Sequence, residues 1–262
     1  RPYGYRLGKL VEHAHAMPIA GQKCCERQAP NPSANNGDIS RSTHFDSLHR
    51  CGMIVMRAKN PYLTPMTKTL KLLVAQLYPV VGDINGFKAL AETAHAEAAA
   101  KGADLLVRSE LFILGYPAED LVLKPAAVEH SMAAIEALKT LTKDGPAILI
   151  GSPWAEDDKL FNSVLLLQNG EIRLRYDKRE LPNYGVFDEK RIFDAGEGAH
   201  TLVELNGIQV GIAICEDIWY SRVPAALHEA GAEVLLVPNA SPWRRTVNEE
   251  RHSTFSAWAK TG

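Results

Sequence analysis

Gly207–Gly231 reads GIQVGIAICEDIWYSRVPAALHEAG, and its two halves follow different periods. Ile208, Val210, Ile212 and Ile214 alternate with Gln209, Gly211, Ala213 and Cys215, the spacing of a strand with two distinct faces. The small-residue face, which includes Cys215, is expected to admit another sheet or backbone, with the isoleucines turned to a helix layer or core. From Val223 to Ala230 the pattern is helical, and Gly231 stops it. Cys215 thus stands at a strand-to-helix corner, where a side chain can be presented at the top of a sheet. On this stretch alone two readings stay open, because an isolated cysteine closing an apolar strand is more often structural than reactive.

Working outward, "HTLVELNGIQVGIAIC" predicts a hairpin about Asn206-Gly207, and "NSVLLLQNGEIRLRYDK" predicts another about Asn169-Gly170. Leu70–Leu77, Asp104–Arg108, Ala147–Gly151 and Glu233–Pro238 read as strands. Between them, Phe87, Leu90, Ala91, Ala94 and Ala98 form a helical stripe ending at Lys101-Gly102. Pro125 opens a second helix carrying Val128, Met132, Ile135 and Leu138, and a further helix is expected from Thr246. Strand–helix–strand units combined with hairpins indicate an α/β fold with a mixed sheet. Neither a GxGxxG nor a GxxxxGK[ST] turn is present, which argues against a doubly wound nucleotide-binding fold.

Residues 1–65 have no sustained period of either kind and are expected to be loop or disorder, a separate irregular extension ahead of a domain spanning 66–262. Because Met66 directly precedes the first clear strand, it is read as a natural start, with 1–65 an upstream leader or translation. His13, His15, Cys24 and Cys25 lie in that extension at a spacing that matches no standard metal-ligand pattern. The net charge of -2 and a pI near 6.5 give no electrostatic footprint for nucleic acid or an anionic membrane. No apolar run reaches the roughly 20 residues a membrane helix needs, so a cytoplasmic location is expected.

Glu110 follows "ADLLVRS" and Lys178 follows "EIRLRYD", each just beyond a strand, as Cys215 does. Singly, such charges are usually solvated; three corners bearing Glu, Lys and Cys are a more specific combination. Only about 3% of an ordinary thiol is ionised at neutral pH, and a nearby ammonium would raise that fraction. A carboxylate could take the thiol proton and later activate water, while the ammonium stabilises the oxyanion formed on attack at a carbonyl. Together they form a kit for cleaving an amide through a thioester.

These segments resemble the nitrilase, or carbon–nitrogen hydrolase, superfamily. "GYPAEDL", "LPNYGVFDE", "ICEDIW" and "NASPW" are similar to the glutamine amidotransferase domain of glutamine-dependent NAD synthetases, from about Leu70 onward. The resemblance implies an αββα sandwich in which Glu110 is the general base, Lys178 the oxyanion cation and Cys215 the nucleophile. It further implies that Tyr184 and Ser241 contact L-glutamine and that Glu189 supports the lysine. Glu216 and Asp217 are then expected to shape a turn whose backbone N–H groups hold the oxyanion. No cofactor is implied for the hydrolysis; ATP and Mg are implied only for a synthetase domain that receives the ammonia, and a homo-oligomer is expected.

The chain departs from the family pattern at three places. Arg108-Ser109 precedes Glu110 where the family often has proline before the glutamate. Val247, with Arg244 and Arg245 nearby, stands where a basic residue usually follows the serine. The family continues beyond "SAWAKTG", and no SGGxDS-type phosphate segment is present, so the domain is expected to be incomplete at its C-terminus. Two rivals stay open: a stand-alone amidase or carbamoylase, and a catalytically silent docking domain.

Overall fold

The computed structural model describes residues 50–58, 68–77, 80–198, 202–242 and 247–261. The possible ligands His13, His15, Cys24 and Cys25 lie outside them, as do Arg244 and Arg245. The first sheet contains β1 (Arg50–Ala58), β2 (Lys68–Gln76), β3 (Leu105–Val107), β4 (Ala147–Glu156), β5 (Lys159–Gln168) and β6 (Glu171–Asp177), in that spatial order. The second contains β7 (Leu202–Leu205), β8 (Ile208–Ile212) and β9 (Val234–Leu236). Both are mixed: β2, β3 and β4 run parallel, as do β8 and β9, while the remaining pairs are antiparallel.

Side-chain packing defines four layers. Leu73, Leu106, Ile148, Ile150, Leu165 and Leu167 pack against the apolar faces of α1 (Ile84–Ala100) and α2 (Pro125–Lys139). On the opposite face, Leu72, Leu105, Leu149, Val164 and Leu166 meet Val203, Ile208, Val210, Ile212 and Val234 of the second sheet. Beyond that sheet, Ala213 and Ala232 pack on Val223 and Leu227 of α4 (Arg222–Glu229), where α3 is the short helix Glu189–Ile192. The order helix, sheet, sheet, helix is the αββα sandwich of the nitrilase-like fold. A strand covered on both faces must be apolar throughout, which explains the unalternating "AILI" and "VLLL" runs of β4 and β5.

Local chemistry sets the ends of these elements. Asp83 caps α1 by accepting the Gly86 N–H at 2.9 Å, and Gly102, at φ +62°, ends the helix. Asn169-Gly170 and Asn206-Gly207 all take positive φ, as tight hairpins require. A third hairpin joins β4 to β5 through Asp157 and Asp158, at φ +50° and +61°. It lacks the Asn-Gly signature that marks the other two.

Two expectations need correction. Arg50–Ala58, inside the segment expected to be loop or disorder, is a strand paired antiparallel along all nine residues of β2, from Arg50↔Gln76 to Ala58↔Lys68. The backbone groups at the β2 edge need partners, and the β-prone "MIVM" run supplies them. The small-residue face of β8 also departs from expectation, while its isoleucines take one of the two placements expected for them. Its isoleucines enter the core between the sheets, whereas Gly211 and Ala213 lie under α4, with a Cβ on Gly211 falling 2.8 Å from Leu235 Cδ2 and 3.2 Å from Leu227 Cδ2. The small residues make room for a helix, not for the second sheet.

Candidate active site

Cys215 does not keep the alternation of β8. The strand ends at Ile212, and Cys215 takes φ +44° as it enters a single 3₁₀ turn, Cys215–Ile218. Parity would send its side chain toward α4; the left-handed backbone instead turns it into the core between the sheets, beside Tyr176 and Ile214. A positive φ at a non-glycine residue carries a steric cost, and such costs concentrate at functional sites. Asp217 holds the turn in place. Its Oδ2 accepts the Ile214 N–H and the Tyr176 hydroxyl, both at 2.9 Å, and its Oδ1 accepts the N–H groups of Glu180 at 2.8 Å and Arg179 at 3.1 Å. The turn of the cysteine is thereby tied to the loop that follows Lys178.

Glu110 arrives from the end of β3 and Lys178 from the end of β6, and both are fully enclosed. Gly151 of β4 makes the approach of Glu110 possible, since an added Cβ would meet Ser109 O at 2.6 Å and Glu110 C at 2.8 Å. Lys178 Nζ lies 2.7 Å from Glu110 Oε1 and 2.9 Å from each oxygen of Glu189. Asn162 Nδ2 donates to the same Glu110 oxygen at 2.9 Å, and the Ala240 N–H donates to Glu110 Oε2 at 3.1 Å. Tyr116 donates its hydroxyl proton to Glu189 Oε1 at 2.8 Å. Ser241, beyond the end of β9, brings its Oγ to 3.2 Å from Cys215 Sγ.

The charges reinforce one protonation pattern. Burial alone would depress the Lys178 ammonium, but the charges of Glu110 and Glu189 outweigh it and hold the lysine protonated. Burial raises the Cys215 thiol, the Glu110 charge adds to that, and Lys178 with the Ser241 contact opposes it. Glu189 is raised as well, by burial first, with Lys178 pulling the other way. The resting cysteine is therefore a thiol beside a carboxylate and an ammonium. Such a group becomes nucleophilic when its proton is taken during attack.

Of the residues singled out from sequence, Glu110, Lys178, Glu189, Cys215 and Ser241 come together in this enclosed cluster. Tyr184 does not enter it: more than half exposed, it donates its hydroxyl to Glu216, with both oxygens at 3.0 Å. Tyr184, Glu216, Tyr220, Arg179 and Lys190 line an open cleft of about 400 Å³ that adjoins the cysteine turn. The role expected for the N–H groups of that turn is only partly available, because Cys215 N–H donates to Pro238 O and Asp217 N–H to Ile214 O, each at 3.0 Å. Val247 begins α5 (Val247–Thr261), whose Phe255 and Trp258 contact Trp219 and the Ile218 carbonyl; the Val247 side chain is outside the described residues. Sequence reasoning missed Tyr116 and Asn162. Asn162 carried a signal, a polar pair with Ser163 between the apolar Phe161 and the VLLL run of β5.

Residues 71–259 match the model of the carbon-nitrogen hydrolase family. The chain belongs to the carbon-nitrogen hydrolase family. Within it, the chain is similar to curated glutamine-dependent NAD(+) synthetases: it is 42% identical over 200 residues to that of Rhodobacter capsulatus, covering 75% of this chain and 36% of the relative. The Thermotoga maritima enzyme of the same name is 39% identical over 179 residues, 67% of this chain and 31% of that one. The chain thus spans about a third of the length of these relatives. Among solved structures, glutamine-dependent NAD+ synthetase from Acinetobacter baumannii superposes with a TM-score of 0.70 at 33% identity, covering 73% of this chain and 36% of that one. An amidase from Nesterenkonia sp. AN1 superposes at 0.63 with 26% identity, covering 71% of each chain. As a carbon-nitrogen hydrolase fold, the molecule holds its Glu, Lys and Cys at the ends of strands drawn from both sheets. Among the described residues, no helix is long and apolar enough to cross a membrane.

Proposed function

We propose that this chain is a glutaminase module of the glutamine-dependent NAD synthetase type. The observation that carries the reading is the enclosed Lys178, 2.7 Å from Glu110, beside a Cys215 thiol under the influence of both charges. Glu110 takes the thiol proton as Sγ attacks the side-chain amide carbon of L-glutamine, and the carbonyl electrons move onto oxygen beside the Lys178 ammonium. The C–N bond then breaks, the leaving nitrogen takes the proton from Glu110, and ammonia departs from a thioester. Water, losing a proton to Glu110, attacks that thioester. The C–S bond breaks, the proton returns to sulfur, and glutamate leaves. Glu189 and Tyr116 keep Lys178 aimed, while Tyr184, Glu216 and Ser241 border the space for the amino-acid end of the substrate.

The hydrolysis uses no cofactor in this reading. The ammonia serves an ATP- and Mg-dependent amidation that converts deamido-NAD to NAD on a synthetase domain outside this sequence, which has no SGGxDS-type phosphate loop. A cytoplasmic, homo-oligomeric enzyme is part of the same reading. A second reading, a stand-alone amidase, is favoured by the superposition on 71% of the Nesterenkonia amidase.

The test is release of glutamate and ammonia from glutamine, compared with short aliphatic amides and N-carbamoyl amino acids, in the wild type and C215A. Preference for glutamine, lost in C215A with the fold retained, supports the glutaminase. Preference for acetamide or a carbamoyl compound supports the other hydrolases, and turnover by C215A sinks the mechanism.

A further inference from the structure

We infer that Asn162 is a positioning residue that selects which oxygen of Glu110 meets the Cys215 thiol; this deepens the hydrolase reading above and rests on it. Asn162 is fully buried in β5, and it holds two members of the cluster at once. Its backbone carbonyl accepts the Lys178 N–H at 2.9 Å, and its side-chain Nδ2 donates to Glu110 Oε1 at 2.9 Å. A carboxylate offers about four acceptor sites. Those of Oε1 are taken by Lys178 Nζ at 2.7 Å and by Asn162, and one of those on Oε2 is taken by the Ala240 N–H at 3.1 Å. Among the described residues, the acceptor site that remains lies on Oε2, on the carboxylate whose charge raises the Cys215 thiol.

The Asn162 amide has a defined orientation, since the reverse rotamer would set Oδ1 against the Glu110 carboxylate, acceptor against acceptor. In the orientation adopted, Oδ1 is buried without a hydrogen-bond partner among the described residues. An aliphatic residue at this buried place would avoid that desolvation cost. The fold carries it, and what it gains is the donor to Glu110. With that donor in place, Oε1 faces Lys178 and Asn162, and proton transfer is confined to Oε2.

The test uses the full chain with N162D, which keeps the shape and replaces the donor by an acceptor, and N162S, which draws the donor back to a shorter hydroxyl with less disturbance. Alkylation of Cys215 by iodoacetamide is followed by peptide mass spectrometry, and glutamine turnover is measured in parallel. Misplacing a catalytic group by an ångström costs on the order of 100-fold. The expected result is a loss of about 30-fold or more in both alkylation rate and kcat for N162D, and about 10-fold for N162S, with KM within about threefold and circular dichroism unchanged. Alkylation within threefold of wild type in N162D overturns the proposal. So does a loss in both variants that follows unfolding or a matching rise in KM, which would make Asn162 purely structural. A wild type that alkylates at Cys215 yet hydrolyses no glutamine counts against the glutaminase reading, and the alkylation rates then decide the role of Asn162.

Discussion

Cys215 Sγ lies 3.2 Å from Ser241 Oγ, and the two residues follow the ends of the parallel neighbours β8 and β9. The serine hydroxyl donates to Asn239 Oδ1 at 2.6 Å, and that oxygen also accepts the Ser241 N–H at 2.7 Å. With its proton on Asn239, Ser241 accepts toward the resting thiol; turned to sulfur, the hydroxyl donates to the thiolate, the sense in which the contact opposes the rise of the thiol. Because Glu110 remains in S241A, thiol activation survives while a polar group bordering the substrate space is lost. S241A is expected to raise KM for glutamine about threefold to tenfold, the worth of one hydrogen bond, and to change the Cys215 alkylation rate less than threefold. Parallel steady-state and alkylation kinetics check this; an alkylation rate that falls as far as kcat/KM would place Ser241 in thiol activation instead.

Asp217 links the nucleophile to the lysine loop through four accepted hydrogen bonds. In D217N, one oxygen becomes an NH₂ group facing groups that themselves donate. The expected cost is about 2–4 kcal/mol, the scale of one or two buried polar groups left unsatisfied, together with a loss of turnover greater than that of S241A. Urea denaturation alongside activity tests this. Wild-type stability in D217N would show that the turn holds without the carboxylate.

The Glu216 carboxyl is raised above the ordinary carboxylate range, by burial first, with the Tyr184 hydrogen bond, Lys178 and Tyr220 opposing. A folded-state value above the unfolded one means that the fold favours the protonated acid. That contribution to stability is fully present below about pH 4.3 and is lost as pH rises through the folded value. E216Q carries no charge to desolvate, so its melting temperature relative to wild type should increase from about pH 4 to about pH 7. Thermal melts across that range check the sign; a difference that shrinks toward neutral pH would contradict it.

Gly151 adjoins the backbone of Ser109 and Glu110 so closely that a methyl group cannot enter without moving them, a Cβ there lying 2.6 Å from Ser109 O. Gly151→Ala is expected to cost about 1–3 kcal/mol, the usual range for overpacking, and to lower kcat by displacing Glu110. Chemical denaturation and steady-state kinetics test both parts. Wild-type kinetics with reduced stability would detach Gly151 from the site.

Much of the arrangement can be read from periodicity. The α/β class with a mixed sheet follows from the alternation of strand and helix periods, and the two Asn-Gly turns mark their hairpins; the αββα layering comes from the family resemblance. The Asp157-Asp158 hairpin escapes because aspartate, unlike Asn-Gly, does not announce two left-handed residues in succession. The direction of Cys215 departs from strand alternation for a related reason. Alternation holds only while the backbone stays extended, and a single residue at φ +44° changes the side chain's destination. Glu189, Tyr116 and Asn162 meet through a lysine that is distant from each in sequence, so no local pattern pairs them. Arg50–Ala58 becomes a strand because β2 offers an edge to complete, a tertiary cause without a strong local signature.

In the proposed reaction Cys215 is the nucleophile for glutamine. Incubation with an electrophilic glutamine analogue, followed by peptide mass spectrometry, tests it most directly. The expected result is one adduct per chain, on Cys215, whose formation is slowed by free glutamine and strongly reduced in E110Q. An inert Cys215, or an adduct that glutamine does not protect against, would contradict it.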